Sequence, residues 1–556
     1  MLTTDQPNVP PRQRDLRQLL AYSWGQLSPN EQLILAQLSL FRQPFTTAGA
    51  QAITGAGLVQ MAALVARFWL RRTADGRYQT HELLRHFARE QLAQSPTQPA
   101  AESRYIRYHL NHIAQQQVRA GHLLGKEMLA EWTHFWADVE QAWAGALRRQ
   151  MWAELEGAIA AVSAFYLHKG LLADGIHFLA QAAEQMHAHL HPPAADPAAQ
   201  RVLVRLLIEQ AHLRNIQVQS QPVPALMAQA VAWATALGDL PLQWSAQVKW
   251  VRALNCLGQA AEARQKGEAI LAEMGTAVVP HLKAELWNSL GIIYLDHGGA
   301  LGQGERYLRQ SMEQYEALEI AHEAARVRHN LALILAHMGR LPQAQRLFQT
   351  NLAWWRAYPT PSRMGSTREG LGYVYLQWGR LGAAASHLQA AKQLYEQLED
   401  WDGVAYTSLY LGQVAGRQGA WAAAERYYRT TVRLRQKLNH PRLLPQSWAG
   451  LAEVAWRQGH TAEAHRHLAQ AVPALLAEAI EGEDMAQAYA VVARLLREMG
   501  DEAGAEWVRQ VGWRRLQEQA AALGEDTTAR ETFLTAVPSH RWLAEAVTGV
   551  ESKSKK

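Results

Sequence analysis

Glycine recurs at 258, 298, 339, 379, 419, 459 and 500, in steps of 40, 41, 40, 40, 40 and 41. A period of this length means one supersecondary unit used again and again, so the chain is limited to a stacked array whose neighbours share a continuous core. Seven residues before each glycine stands Val251, Gly291, Ala332, Gly372, Gly412, Ala452 or Ala493, mostly small. Five residues after it come Ala263, Ala344, Ala384, Ala424, Ala464 and Ala505, with Gly304 one place late in the repeat that begins near Trp287. Four residues further there is often a large side chain: Leu308, Phe348, Leu388, Tyr428 or Leu468. The spacing predicts a helical hairpin. Small residues let two antiparallel helices approach, a left-handed glycine ends the first helix, and large residues fill the gap to the next hairpin.

Repetition accounts for a chain of 556 residues better than several separate cores do. With 48% hydrophobic residues, 20 Trp and 17 Tyr, a mainly disordered chain is excluded. The single cysteine, Cys256, excludes an intrachain disulfide or a multi-cysteine metal cluster and fits a reducing compartment. Its position before Leu257-Gly258, near the end of a first helix, predicts a buried small hydrophobe. The N-terminus lacks a basic region followed by an apolar core, and no uncharged apolar stretch approaches the roughly 18 residues of a membrane helix. A soluble, cytoplasmic protein without membrane contact is expected. The net charge of +5 lies at the ends: residues 1–95 hold ten Arg against six Asp or Glu, and residues 551–556 hold three Lys against one Glu. The bulk of the chain therefore has no electrostatic footprint for nucleic acid.

Residues 12–94 follow another rhythm. Ser28-Pro29-Asn30-Glu31 supplies a helix cap, a proline at the first helical position and a glutamate placed for a capping box, opening a helix through Phe41. Further helices are expected from Thr47 to Thr54 and from Leu58 to Phe68. Phe68-Trp69-Leu70-Arg71-Arg72 and Arg77-Tyr78-Gln79-Thr80 then flank the turn dipeptide Asp75-Gly76, and a last helix starts near His81, with Leu83, Leu84 and Phe87 toward the core. Three helices and a hairpin make a winged helix.

The segments Trp287-x-x-Leu290-Gly291-x-x-Tyr294, Leu371-Gly372-x-x-Tyr375 with Gly379 and Ala384, and Leu411-Gly412 with Gly419, Ala424 and Tyr428 resemble the tetratricopeptide repeat. The period here exceeds the roughly 34 residues of that family. Weaker units precede them, at Tyr166 with Gly170, Gly175 and Leu179, and around Ala211 with Pro222 and Pro224 in the turn. At the other end, Ser23-Trp24-x-x-Leu27-Ser28-Pro29 and Arg77-Tyr78-x-x-His81-Glu82-Leu83-Leu84-Arg85 resemble the winged helix of bacterial STAND-class signal-transduction ATPases, many of them transcriptional regulators. Tyr105 to Val118 and Asp138-Val139-Glu140-x-Ala142-Trp143 are similar to the helical linker of that class, and Phe533-Leu534-x-x-Val537-Pro538-x-His540-Arg541 to the closing helix after its repeats. The resemblance implies a sensor array coupled to a switch. It covers only the C-terminal part of such a protein, without the strand, glycine loop and helix of the nucleotide-binding core, so no ATPase activity is carried over. Gly121-His122-Leu123-Leu124-Gly125-Lys126-Glu127 has three residues between its glycines and ends in Glu, unlike a phosphate loop.

Other candidate chemistry is thin. His81 and His86 are five apart and point some 140° from each other on a helix, whereas a zinc helix needs four. His187, His189 and His191, and likewise His460, His465 and His467, lack a predictable carboxylate set and suit helix ends. No catalytic residue, cofactor or metal is assigned. Trp250, Trp287, Tyr294, Tyr375, Tyr427, Tyr428 and Trp448 sit at repeat spacing as core residues. From the helical register, Asn288, Arg326, His329, Glu369, Tyr373, Tyr406, Gln413, Glu453 and Trp456 lie on first helices away from that core, as a groove for a peptide or small effector would need.

The expected fold is all-α, a right-handed tetratricopeptide-repeat superhelix with an N-terminal winged-helix module. Residues 1–95 form that module, 96–150 a helical linker, 151–512 an array of about nine hairpins, and 513–556 capping helices with a disordered basic tail. The expected function is a non-enzymatic scaffold or sensor of a bacterial signalling or transcription-regulating system, with a protein, peptide or small effector in the groove. Two alternatives stand beside it. One is DNA binding through Arg67, Arg71, Arg72 and Arg77, against which Leu58 to Phe68 is apolar for a recognition helix. The other is the regulatory half of a split ATPase whose nucleotide-binding module is a separate chain.

Overall fold

The structure is a computed structural model that describes residues 16–119, 124–190, 196–217, 219–296, 300–358, 360–438, 443–476, 485–524 and 526–548. The chain forms two compact units, Met1–Leu257 and Gly258–Lys556. The fold is all-α, a solenoid of helical hairpins. Among the described residues the only strands are Arg71–Arg72 and Tyr78–Gln79, paired antiparallel with Arg71 opposite Gln79.

The N-terminal unit opens with the helices Leu16–Gly25, Pro29–Leu38, Thr47–Thr54 and Leu58–Ala66, the small hairpin, and Glu82–Ala93. The capping box forms as the sequence predicts: Ser28 accepts from the Glu31 amide while the Glu31 carboxylate accepts from the Ser28 amide at 2.8 Å. Three details differ. The second helix stops at Leu38 rather than Phe41, because the chain turns there to seat Leu40 and Phe41 in the core, with the Phe41 ring stacked on Phe45 at 4.3 Å. The helix from Leu58 stops at Ala66, where the Trp69 amide bonds back to the Leu64 carbonyl, and Phe68 takes a left-handed φ of 60° and is 88% exposed. Phe87 is buried in the last helix, but Leu83 points to solvent.

Two long helices follow, Gln98–Arg119 and Lys126–Arg148. The buried Asp138 ties them to the opening helices, accepting the amides of Arg42 at 2.6 Å and Gln43 at 3.2 Å and the Tyr105 hydroxyl at 2.8 Å. Burial pushes its carboxyl up to about 6 against these bonds. Hairpins then begin. Trp152–Lys169 and Leu172–His189 turn at Gly170, and Gly175 leaves room for the Tyr166 ring. Pro197–Ile216, Val223–Leu237 and Leu240–Cys256 complete the unit. Cys256 corrects the expectation of burial: on the last turn of its helix it is exposed.

The C-terminal unit starts with Ala260–Met274 and continues as hairpins of a first and a second helix: Pro280–Asp296 with Leu301–Ala317, Ala321–His337 with Leu341–Ala357, Pro361–Gln377 with Leu381–Gln397, Trp401–Arg417 with Trp421–Lys437, Leu444–Arg457 with Thr461–Leu476, and Met485–Glu498 with Glu502–Ala521. From Ala321 to Lys437 every helix has 17 residues. Every connection between them has three, and two helices with two connections make up the period of the glycines. Glycines 258, 339, 379, 419, 459 and 500 all adopt φ between 72° and 89°; Gly298 lies outside the described residues. The small and large positions meet as a knob on a flat seat. A Cβ on Gly291 would come within 2.5 Å of Leu308, one on Gly372 within 2.5 Å of Leu388, and one on Gly412 within 2.7 Å of Tyr428. These contacts are within a hairpin. Filling toward the next hairpin falls to Phe348 against Gly370 and to the far edge of Tyr428 against Gly450. Buried polar side chains also tie second helix to first, with Ser311, Asn351 and Thr431 donating to the carbonyls of Ala284, Ala325 and Ala405 at 2.7, 2.8 and 3.2 Å. Two helices close the unit, Thr527–Ala536 and Pro538–Thr548.

Candidate functional site

Identical hairpins put identical positions in rows. Tyr373, Gln413 and Glu453 stand one period apart on successive first helices, six places before each turn glycine, and Arg494 continues the row on the last first helix. Asn288, His329 and Glu369 form a second row, and Arg326 and Tyr406 belong to a third. Within a first helix these positions lie close in azimuth, since 100° per residue brings places 6, 10 and 13 before the glycine within about 60° of each other.

Many of these side chains are already engaged by the array. Asn288 is buried and accepts from the Asn330 amide at 2.9 Å, joining two first helices. Arg326 pairs with Glu323 at 2.5 Å; burial alone would raise the Glu323 carboxyl, but Arg326 and His322 hold it well below its usual range. His329 lies 5.4 Å from the Phe348 ring, and burial pushes it down to about 3. Glu369 accepts from the Tyr395 hydroxyl at 2.7 Å. Tyr406 carries the Arg435 guanidinium over its ring at 4.7 Å, and Arg435 also pairs with Asp402 at 2.5 Å. Tyr373 is buried between His337 and Tyr410, with ring centroids at 5.3 and 5.4 Å. Gln413 is buried, with its Oε1 lacking a hydrogen-bond partner. Glu453 and Trp456 are half-buried, and the Trp456 indole donates to Glu498 at 3.0 Å. Toward the end of the row through Tyr373, Gln413, Glu453 and Arg494, Glu453 and the flanking Trp456 are half-buried and Arg494 is exposed, the part of the face least used for hairpin packing.

Sequence reasoning missed the neighbouring row two places before the glycine: His337, Gln377, Arg417 and Arg457. Arg417 donates to the Leu376 carbonyl at 2.8 Å, Arg457 pairs with Glu498 at 2.8 Å, and burial pushes His337 down to about 4. The period itself carries the signal for this row, since its members recur with the same spacing as the glycine.

In the N-terminal unit, three of the four arginines named for DNA contact are held internally. Arg67 donates to the Gln26 carbonyl at 2.7 Å, Arg71 to Gln79 at 2.5 Å, and Arg77 pairs with Asp75 at 3.3 Å. The helix before them presents Leu58 and Val59 to solvent, 66% and 80% exposed. Among the described residues no three His, Cys, Asp or Glu gather as a metal site, and no single helix is long and apolar enough to cross a membrane. His191 and Gly121 to Leu123 lie outside the described residues.

A tetratricopeptide-repeat family model matches residues 323–397, two of the equal-length hairpins less the first two residues of the first. No curated protein matches the chain. Solved structures similar to it include a signal-transduction ATPase with numerous domains (STAND) carrying a tetratricopeptide-repeat sensor, from Pyrococcus horikoshii. That protein is 15% identical with a TM-score of 0.42, the match covering 85% of this chain and 66% of that one, so this chain spans just under two thirds of its length. The apo form of RapI is 11% identical with a TM-score of 0.48, covering 66% of this chain and 98% of its own. NprR in complex with its cognate peptide NprX is 12% identical with a TM-score of 0.44, covering 62% and 99%.

Proposed function

We propose that the first-helix face of the C-terminal unit is a docking surface for a protein or peptide segment, and that the chain works as a non-enzymatic scaffold or sensor. The observation that carries this reading is the row Tyr373, Gln413, Glu453 and Arg494. It runs across four successive hairpins with mixed aromatic, amide and charged groups, buried at Tyr373 and Gln413 and opening toward solvent at Glu453 and Arg494. An extended or helical segment lying across the last hairpins meets Glu453, Trp456 and Arg494, which gives both register and specificity. A small effector is the lesser reading, since a row of this kind is long rather than enclosed.

The N-terminal elements support a winged-helix module at residues 16–93, through the order of three helices, hairpin and helix. We take it as the coupling element of a cytoplasmic bacterial signalling or transcription-regulating system of STAND type, with a nucleotide-binding partner as its natural neighbour. The internal pairing of Arg67, Arg71 and Arg77 argues against DNA contact by these residues.

The test is isothermal titration of the full chain against peptide libraries of helical and extended segments. A binder is expected whose affinity falls by about tenfold or more in Glu453→Ala and Trp456→Ala, each taken singly. Binding that survives both substitutions and Gln413→Ala would sink this assignment of the surface.

A further inference from the structure

The closing helices do more than cover the last hairpin. A simple end cap touches only its neighbour in a solenoid. Here the segment after Ala521 reaches back to hairpins much earlier in the chain. The Leu523 carbonyl lies 3.5 Å from where a Cβ on Gly302 would stand, and Asp526 is 3.8 Å from the Arg340 guanidinium. The Thr532 carbonyl and the Ala536 methyl lie 2.9 and 3.0 Å from a Cβ placed on Gly339. His540, its Nδ1 within 2.8 Å of the Phe533 carbonyl, stands near enough to His337 for its charge to act there. At the other end Trp542 sits beside Arg494 at 5.9 Å, and the second closing helix packs on Met485–Glu498. The segment thus meets the turn at Gly339, two residues past His337, which packs against Tyr373, and Arg494, the last member of the candidate row.

Its hold is apolar and narrow. Phe533, Val537 and Leu543 are 2%, 1% and 0% exposed; Ala529, also buried, and Phe533 are four residues apart on the first closing helix, the spacing of anchors on one helical face, while Val537 sits in the extended break before the second. Its charged contacts are loose, because the Asp526 side chain stays 56% exposed and Arg494 is exposed.

We propose that residues 526–548 are a built-in ligand of this unit's own first-helix face, and that the outside partner is a short helical segment with apolar anchors spaced like Ala529 and Phe533, which takes the site by displacing them. This rests on the docking reading above and adds to it the class of partner and the gate that partner must open. The occupant is a segment of this chain, in contact with Arg494 of the row and with the turn at Gly339. Displacement makes apparent affinity for an outside segment lower than intrinsic affinity, by the fraction of time the face stands open.

The experiment uses the full chain and a labelled peptide of residues 526–548, read by fluorescence anisotropy. A Phe533→Asp, Leu543→Asp double variant that keeps its helical circular dichroism should bind the peptide about tenfold or more tightly than the wild type does. A peptide carrying Phe533→Asp should bind neither. A folded variant that ignores the wild-type peptide, or a wild type that binds it equally well, overturns the proposal. Should the double variant lose its helices, Val537→Ala and Leu543→Ala shorten the apolar hold without adding a charge. Each should then raise hydrogen exchange in residues 529–544 about threefold or more relative to residues 502–521, and unchanged ratios would overturn it equally. The two readings fail separately. An outside partner that binds wild type and opened variant alike removes the gate and keeps the docking surface. Capture of residues 526–548 with no effect of Glu453→Ala or Trp456→Ala on any outside binder keeps the gate and removes the docking row.

Discussion

The carbonyl oxygen of Thr532 occupies the space that any side chain on Gly339 would need, 2.9 Å from the position of its Cβ. Gly379 has the same left-handed backbone, φ 72° against 76°, but nothing within 4 Å of its Cβ position. Gly379→Ala should therefore cost about 1 kcal/mol, the left-handed penalty alone. Gly339→Ala should cost about 1–2 kcal/mol more, as overpacking against the closing helices. Chemical denaturation of the two variants measures the difference, and equal losses would mean that the Thr532 contact does not form.

The opposite substitution should stabilise. Glu319 and Glu399 end second helices with φ of 58° and 54°, the conformation that glycine holds at the other turn of the hairpin. Glu399→Gly removes a Cβ from left-handed backbone, and a gain of about 0.5 kcal/mol is expected after the added flexibility of the unfolded chain is counted. A lower melting temperature in this variant would contradict it.

His337 and His540 make the closing contact sensitive to acid. Burial is the main cause that pushes each down to about 4; the charge of His540 adds to it for His337, and the Phe533 carbonyl opposes it for His540. A depressed histidine binds fewer protons in the folded state than in the unfolded state, whose value is near 6.5. Its contribution is therefore complete above about pH 6.5 and is lost as the pH falls from there toward 4. Between pH 7.5 and pH 5 each histidine should cost about 2 kcal/mol. Hydrogen exchange in residues 529–544 at the two pH values should show it, and His540→Asn should flatten the slope. An unchanged slope would place the titration elsewhere, in His109 or His329, both pushed down to about 3.

The seat of Leu388 on Gly372 leaves no room for a methyl group, since a Cβ would stand 2.5 Å from the leucine Cγ. Gly372→Ala should cost about 1–3 kcal/mol and Leu388→Ala about 2–4 kcal/mol. The double variant should lose less than the two together, by about 1 kcal/mol, because the added methyl then occupies space the leucine left. Strict additivity in denaturant titrations would count against this packing.

In the N-terminal unit, Asp138→Ala removes the acceptor for the Arg42 and Gln43 amides and the Tyr105 hydroxyl, and should cost about 3 kcal/mol or more. Tyr105→Phe, which removes a single bond, should cost about 1 kcal/mol. Melting curves in which both lose the same would show that Asp138 is not the shared anchor.

The hairpins were legible because each depends on chemistry local to its own repeat unit: a glycine at the turn, a small residue facing a large one, and helices of equal length on either side. The capping box at Ser28 was legible for the same reason. The nine candidate groove residues were legible as a face but not as a free surface. Whether Glu369 is open depends on Tyr395, on another helix, and whether Arg326 is open depends on its ion pair with Glu323. The offset of 26 between Glu369 and Tyr395 recurs where Asn351 reaches Ala325 and Thr431 reaches Ala405, so it marks which second-helix residue meets which first-helix residue. Periodicity also conceals exceptions. It makes Gly339 look like Gly379, since the residues that set them apart lie near 532, outside any repeat.

Solenoids ordinarily lengthen or shorten by whole units, because each hairpin answers only to its neighbours. The ion pair of Asp526 with Arg340 and the seat of Thr532 on Gly339 remove that freedom between residues 340 and 526. Inserting or deleting one hairpin there would preserve every local contact and still carry the closing helices away from their targets. The protein in effect counts its own repeats, and its tail is the check on the count.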